Sequence, residues 1–251
     1  MRLRTYSLLI ALAFLTLPVS GEGFWHDVSI TSKIGFNLGG TAPVGLPDNI
    51  RKLNSYTLQS NPVIGINLEK PLDTRWGVMT GLYYENKGMK EDAKVKNYHE
   101  AIVRGGERLE GQYTGDVTTE VDEWMFTLPL EATFHLGSRV RLHAGPYASV
   151  LLQKSFEGRA HNGYLRVGEP TGPKVLLGDD ASTSGTYDFS HDMRHLQWGV
   201  TAGADINIYK RWGAFAELKW GLSGVHHSSF HTIEQTLYPI FFSAGVNYRL
   251  R

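Results

Sequence analysis

Over most of this chain, apolar and polar side chains alternate with a period of two, and an extended strand is the element that sorts such residues onto opposite faces. The last segment shows it best. Tyr238, Ile240, Phe242, Ala244, Val246, Tyr248 and Leu250 share one face, while Ser243, Gly245, Asn247 and Arg249 share the other. A helix would scatter both sets around its circumference. The same reading predicts seven further strands at residues 28–38, 56–68, 76–84, 124–134, 140–152, 196–208 and 212–222. Eight is an even number, as single-chain membrane barrels of this type use.

Alternation alone leaves a soluble sandwich or lipocalin-like barrel open beside a membrane barrel. Glycine decides between them. It sits on the polar face, at Gly35, Gly65, Gly77, Gly81, Gly145, Gly199, Gly203, Gly213, Gly221 and Gly245. On a water-facing surface it has no reason to collect there. The lumen of an eight-stranded barrel is barely wide enough for its own side chains, so glycines on that side make room for Arg141, Tyr83, Tyr147 or Phe215. The polar face is therefore predicted to point inward and the apolar face toward lipid.

Connection lengths agree. Tight turns are expected at 70–74, 137–139 and 210–211, and long connections at 40–55, 88–122, 154–195 and 224–237. This segregation is the signature of periplasmic turns at one rim and extracellular loops at the other. The predicted fold is all-β, an eight-stranded antiparallel up-and-down transmembrane β-barrel with short periplasmic turns and long extracellular loops. Aromatic residues at strand ends form two expected belts: Tyr56, Tyr84, Trp124, Trp198, Trp220 and Tyr238 outside, and Trp76, Phe134, Trp212 and Tyr248 inside.

The N-terminal residues read as an export signal. Arg2 and Arg4 precede an uncharged stretch at 8–17 that is too short to span a bilayer, and Val19, Ser20 and Gly21 offer the small residues a signal peptidase reads. Residues 1–21 are the predicted signal peptide and 22–251 the barrel domain; a retained anchor helix is the alternative. With 25 basic and 25 acidic residues the chain is no nucleic-acid binder by net charge, and without cysteine it is no disulfide scaffold. The expected location is the bacterial outer membrane.

Ser243, Gly245, Tyr248 and Leu250 resemble the C-terminal signal by which the barrel-assembly machinery recognises bacterial outer-membrane proteins, although Arg251 extends one residue past the usual hydrophobic end. Together with Gly35 to Leu38, the Leu128-Pro129-Leu130 strand and Ala202-Gly203-Ala204-Asp205-Ile206 before a tight turn, the chain resembles the PorT-like outer-membrane β-barrel domain family of Bacteroidetes. That resemblance implies an integral outer-membrane barrel, some of whose relatives assist protein secretion.

The predicted lumen sets Lys33, Lys87, Arg141, Lys219 and Arg249 against Glu69, Glu85, Glu131, Asp205 and Glu217. Charges confined with little water must pair, so a cross-linked plug is expected, with a narrow porin-like pore for small solutes as the alternative. No catalytic, cofactor or metal site is predicted. The run His226, His227, Ser228, Ser229, Phe230, His231 with Glu234 matches no compact zinc spacing, although barrels resembling lipid A-modifying enzymes carry His and Ser near the outer rim. The loops at 90–121 and 156–193 are the better candidates for function, as partner-binding surfaces or as hydrophilic shielding. The expected partners are outer-membrane lipid, the assembly machinery during biogenesis and a protein bound through the loops.

Overall fold

The structure, a computed structural model, describes residues 27–45, 48–57, 59–233 and 235–251. The predicted signal peptide, Leu58 and Glu234 lie outside the described residues. Eight long strands form the wall: β1 (Ser29–Pro43), β3 (Asn61–Pro71), β4 (Trp76–Arg104), β5 (Glu107–Leu136), β6 (Val140–Val167), β9 (Leu196–Tyr209), β10 (Trp212–Gly221) and β11 (Leu237–Arg249). Each pairs antiparallel with its neighbours in that order, and β11 returns to β1, with Gly245 opposite Gly35. Three short strands stand outside this ring: β2 (Ile50–Thr57) beside β4, β7 (Lys174–Leu177) beside β6, and β8 (Gly185–Asp188) between β6 and β4.

The facing of the wall follows the alternation. On β10, Leu218 is 49% exposed, whereas its neighbours Glu217 and Lys219 are each 3% exposed. Ile34, Phe36, Ile66, Leu82, Leu128, Leu130, Val200 and Phe242 extend the exposed apolar band around the cylinder. A soluble fold would bury these residues. Inside, Gly65 lies opposite Tyr83, whose ring occupies the space a side chain on Gly65 would need: a Cβ there would come within 2.3 Å of the ring.

Two of the expected long loops are mostly strand. β4 and β5 run on as a hairpin that ends in a two-residue turn at Gly105 and Gly106, whose φ angles of 60° and 84° suit a tight hairpin closure. β6 also extends to Val167. β5 shows the cause. Its 30 residues keep one period throughout, but chemistry trades faces at Trp124. Below that residue Phe126, Leu128 and Leu130 point outward while Met125, Thr127, Glu131 and Thr133 are buried. Above it the inward set is Tyr113, Val117, Thr119 and Val121, and the outward set is Thr114, Asp116, Thr118, Glu120 and Asp122. The outside has changed from hydrocarbon to water, and the inside has become an ordinary apolar core.

The sequence also predicted one second strand from Tyr56 to Leu68. Instead Tyr56 belongs to β2, opposite Glu91, and β3 begins only at Asn61. Glu91 lies seven residues past Tyr84 along β4, about 23 Å at strand rise, so Tyr56 stands above the outer aromatic belt. Its hydroxyl donates to the Gly39 carbonyl.

Leu218→Arg would place a charge against hydrocarbon. It is expected to destabilise the barrel by about 2–4 kcal/mol, read as a lowered urea midpoint for folding into phospholipid vesicles; an unchanged midpoint would reverse the facing.

Candidate functional site

Inward positions on all eight wall strands bring charged and polar side chains into one connected interior. At the periplasmic end, Glu69 accepts hydrogen bonds from Thr133 (2.7 Å) and Arg141 and lies 2.8 Å from His135 Nε2. Arg141 reaches on to Asp205 at 2.7 Å, and Asp205 also accepts from Asn247 and pairs with Lys33 at 3.1 Å. Lys33 is hydrogen-bonded to Glu217 as well. His143 bonds Glu131 at 2.8 Å through Nδ1, and its Nε2 lies 3.7 Å from Asp205. Toward the outer end, Lys219 donates to Glu85 at 2.6 Å, and Lys87 lies 3.5 Å from the same carboxylate. Glu85 also accepts from Thr127 and Asn37.

Aromatic faces complete the cations' surroundings. Lys33 lies over Phe215 at 4.8 Å, Lys219 over Tyr83 at 4.9 Å and Lys87 over Tyr147 at 5.1 Å. These contacts supply cation–π attraction where water is scarce.

Nine of the ten predicted lumen residues thus lie inside, buried. Arg249 does not join them. It is exposed at the periplasmic mouth near His135 and Arg139, and no ion pair involves it among the described residues. Alternation assigns it the inward side but not its depth, and at the last turn of the wall the lumen opens to water. The predicted network left out His135, His143, Asn37, Asn67, Asn247, Gln197 and Glu123, all at inward positions. The first six were passed over because only full charges were counted, and Glu123 because the predicted strand began one residue later, at Trp124. Glu123 accepts from Gln197 at 2.7 Å.

The belts lie at the edges of the exposed apolar band and not always at strand ends: Tyr84 and Trp124 fall within β4 and β5, which continue above them. Tyr84 stacks on Trp124 with centroids 5.1 Å apart; at the other rim Trp76 meets Phe134 and Trp212 meets Tyr248, each at 4.8 Å. Trp198 and Trp220 are exposed on the outer face, and Tyr238 lies opposite Ala42. Among the residues of the assembly signal, Ser243 donates to Asn37 at 2.5 Å, Gly245 faces Gly35, and the Leu250 amide donates to the Ile30 carbonyl.

Above the membrane, Met89, Val95, Ile102, Tyr113, Val117, Val121, Phe156, Leu165, Tyr187 and Met193 form an apolar core over the barrel mouth. Tyr113 donates to the His161 carbonyl at 2.5 Å, and the Tyr187 and Thr119 hydroxyls are 2.7 Å apart. In the histidine-rich run, His226 stacks on Phe230 and meets the edge of Phe156, and burial pulls its imidazole down to about 4. Glu100 is buried in the apolar core, where desolvation pushes its carboxyl up to about 8.

A closed antiparallel wall with apolar side chains outside and charges within defines a transmembrane β-barrel of the outer membrane. Residues 17–227 match the family described as outer membrane protein beta-barrel domain, and the chain belongs to that family. No curated protein matches this chain. Similar solved structures include Ail, the attachment invasion locus protein of Yersinia pestis, in complex with the heparin analogue sucrose octasulfate (10% identity, 89% of this chain and 97% of that one, TM-score 0.38). Others are the translocator domain of autotransporter NalP from Neisseria meningitidis (10%, 98% and 98%, 0.26) and the Ralstonia pickettii toluene transporter TbuX (8%, 89% and 90%, 0.25).

Arg141 joins two carboxylates. Arg141→Met is expected to strand Glu69 and Asp205 and to destabilise the barrel by about 3–5 kcal/mol, measured by urea titration in vesicles. Glu100 gives a pH test. Its proton is held in the folded chain up to about 8 but lost near 4.3 when unfolded, so stability falls as pH rises through that window. Glu100→Gln removes the dependence: the variant should match the parent near pH 4 and exceed it at pH 8, by roughly 4–5 kcal/mol. Parallel curves at both pH values would contradict a buried, protonated carboxyl.

Proposed function

We propose that this is a non-enzymatic integral outer-membrane protein whose lumen is closed by its own side chains and which acts through the sheet it raises above the membrane. Its role is that of a recognition surface or a component of an envelope or secretion assembly. The observation that carries this reading is the separate apolar core of the extracellular hairpins. A loop that merely shields the barrel mouth needs no packed interior, whereas a binding surface needs a rigid support. β2 adds a second support. It pairs only with β4 among the described residues and is exposed along nearly its whole length. A free edge of this kind can accept a partner strand.

Closure of the lumen is supported by the chain of contacts from Glu69 through Arg141, Asp205 and Lys33 to Glu217, and by Lys219 and Lys87 around Glu85. Membership of the PorT-like group, export by residues 1–21 and recognition of the C-terminal segment by the assembly machinery belong to the same proposal. They rest on the sequence features described above.

Two measurements test it. In planar bilayers the reconstituted protein is expected to show no sustained conductance, and long-lived openings would favour small-solute transport instead. Glu91 pairs with Thr119 across the β4–β5 hairpin, so residues 92–118 can be replaced by an Asn-Gly turn. That variant should still form a heat-modifiable barrel yet lose cross-linking to its envelope partners. Undiminished cross-linking would remove the hairpin from the function, and an altered lipid A mass spectrum on expression would overturn the non-enzymatic reading.

A further inference from the structure

Within the extracellular sheet, above the outer belt, lies a cavity of about 210 Å³. Its lining is mostly aliphatic and aromatic, with Val95, Val117, Met89, Phe156 and Leu237 among the walls. The ionisable groups at its surface are unusual in sign. Glu91 and Glu100 line it, with Tyr98 and Tyr187, and no lysine, arginine or histidine does among the described residues.

Glu100 points inward because of a local change of register. β4 carries a bulge between Val95 and Tyr98, with Asn97 in the left-handed region at φ 51°. Before the bulge the odd positions Ala93 and Val95 face the interior; after it the even positions Glu100 and Ile102 do. The Glu100 side chain is 2% exposed, and its Oε2 has no hydrogen-bond partner among the described residues. Burying a carboxyl without a partner is unfavourable, and stability alone would favour a leucine at this position. An acid kept there at that expense is a group waiting for a ligand.

We propose that this cavity binds a small organic cation, an amine on an apolar body, whose ammonium group pairs with the Glu100 carboxylate, the acid giving up its proton to water as the cation enters. The volume suits such a body, since an aliphatic-lined cavity of about 150 Å³ accepts benzene. The aromatic rings of Tyr187 and Phe156 are among the walls, where a cationic head can be attracted to a ring, and a lining whose charged side chains are both carboxylic disfavours anions. The site opens from the extracellular part of the chain, so its use does not depend on whether the lumen conducts.

Calorimetric titration of phenethylamine into the full chain in phospholipid nanodiscs tests the proposal, with 2-phenylethanol as the neutral isostere. Saturable binding of the amine is expected, with the alcohol at least tenfold weaker. Glu100→Gln keeps the side-chain shape and should weaken the amine at least tenfold while leaving the alcohol unchanged. Ala93→Phe, which fills the cavity, should abolish binding of the amine without changing heat-modifiable mobility. The proposal is overturned if the parent protein shows no saturable binding, if Glu100→Gln binds the amine as tightly as the parent, or if alcohol and amine bind equally.

Discussion

A strand that faces hydrocarbon cannot leave its backbone amides and carbonyls unpaired, because no water is present to satisfy them. This constraint closes the wall. β1 and β11, the first and last strands, pair along their whole lengths, so no edge is left within the membrane. Closure then fixes the rest. The apolar residues of each strand occupy the lipid side, and the alternate residues are confined to a narrow lumen with little room for water. Charges there are tolerated only as partners, which is why Arg141, Lys33 and Lys219 each lie against carboxylates.

The same strands obey the opposite rule once they leave the bilayer. On β5 the outward positions turn polar above Trp124, and the inward positions turn apolar. One continuous hydrogen-bonded ladder therefore serves two solvents. In the membrane, stability comes from apolar side chains against lipid and pairing in the lumen; above it, from burial of Ile102, Tyr113, Phe156 and Leu165. Small structural devices match the second regime. Bulges at Asn97 and Asn162, both at φ 51°, shift which residues face inward, and β8 bridges β6 and β4 to enclose the upper core.

The membrane part was legible in the sequence because a single period of two, with glycine on the polar side, encodes both strand and facing. On that basis Lys33, Glu217 and Leu218 could be placed from their positions alone. The upper part was harder to read. Lys90, Asp92 and Lys94 on the outward side, with Glu91 between them, give a composition that resembles a loop, and the reversal of faces together with the two bulges breaks the pattern that marks a strand. Depth was also hidden. Alternation cannot tell that Tyr56 stands above the belt or that Arg249 lies at an open mouth, because both depend on register between strands distant in sequence. The alternation puts His143 on the same inward face as Arg141, but its pairing with Glu131 depends on the register between β5 and β6 and could not be read from parity alone.

The account turns on what each face of β5 touches at each height. The chain has no cysteine, so single cysteines at residues 114, 118, 127, 128 and 130 can each carry a nitroxide in vesicles. Its collision rates with oxygen and with a water-soluble nickel chelate report lipid and water contact separately. Labels at 128 and 130 should favour oxygen, those at 114 and 118 the nickel chelate, and the label at 127 neither. If 118 and 130 gave the same ratio, or if 127 collided with oxygen as readily as 128, the exchange of faces at the membrane surface would be contradicted.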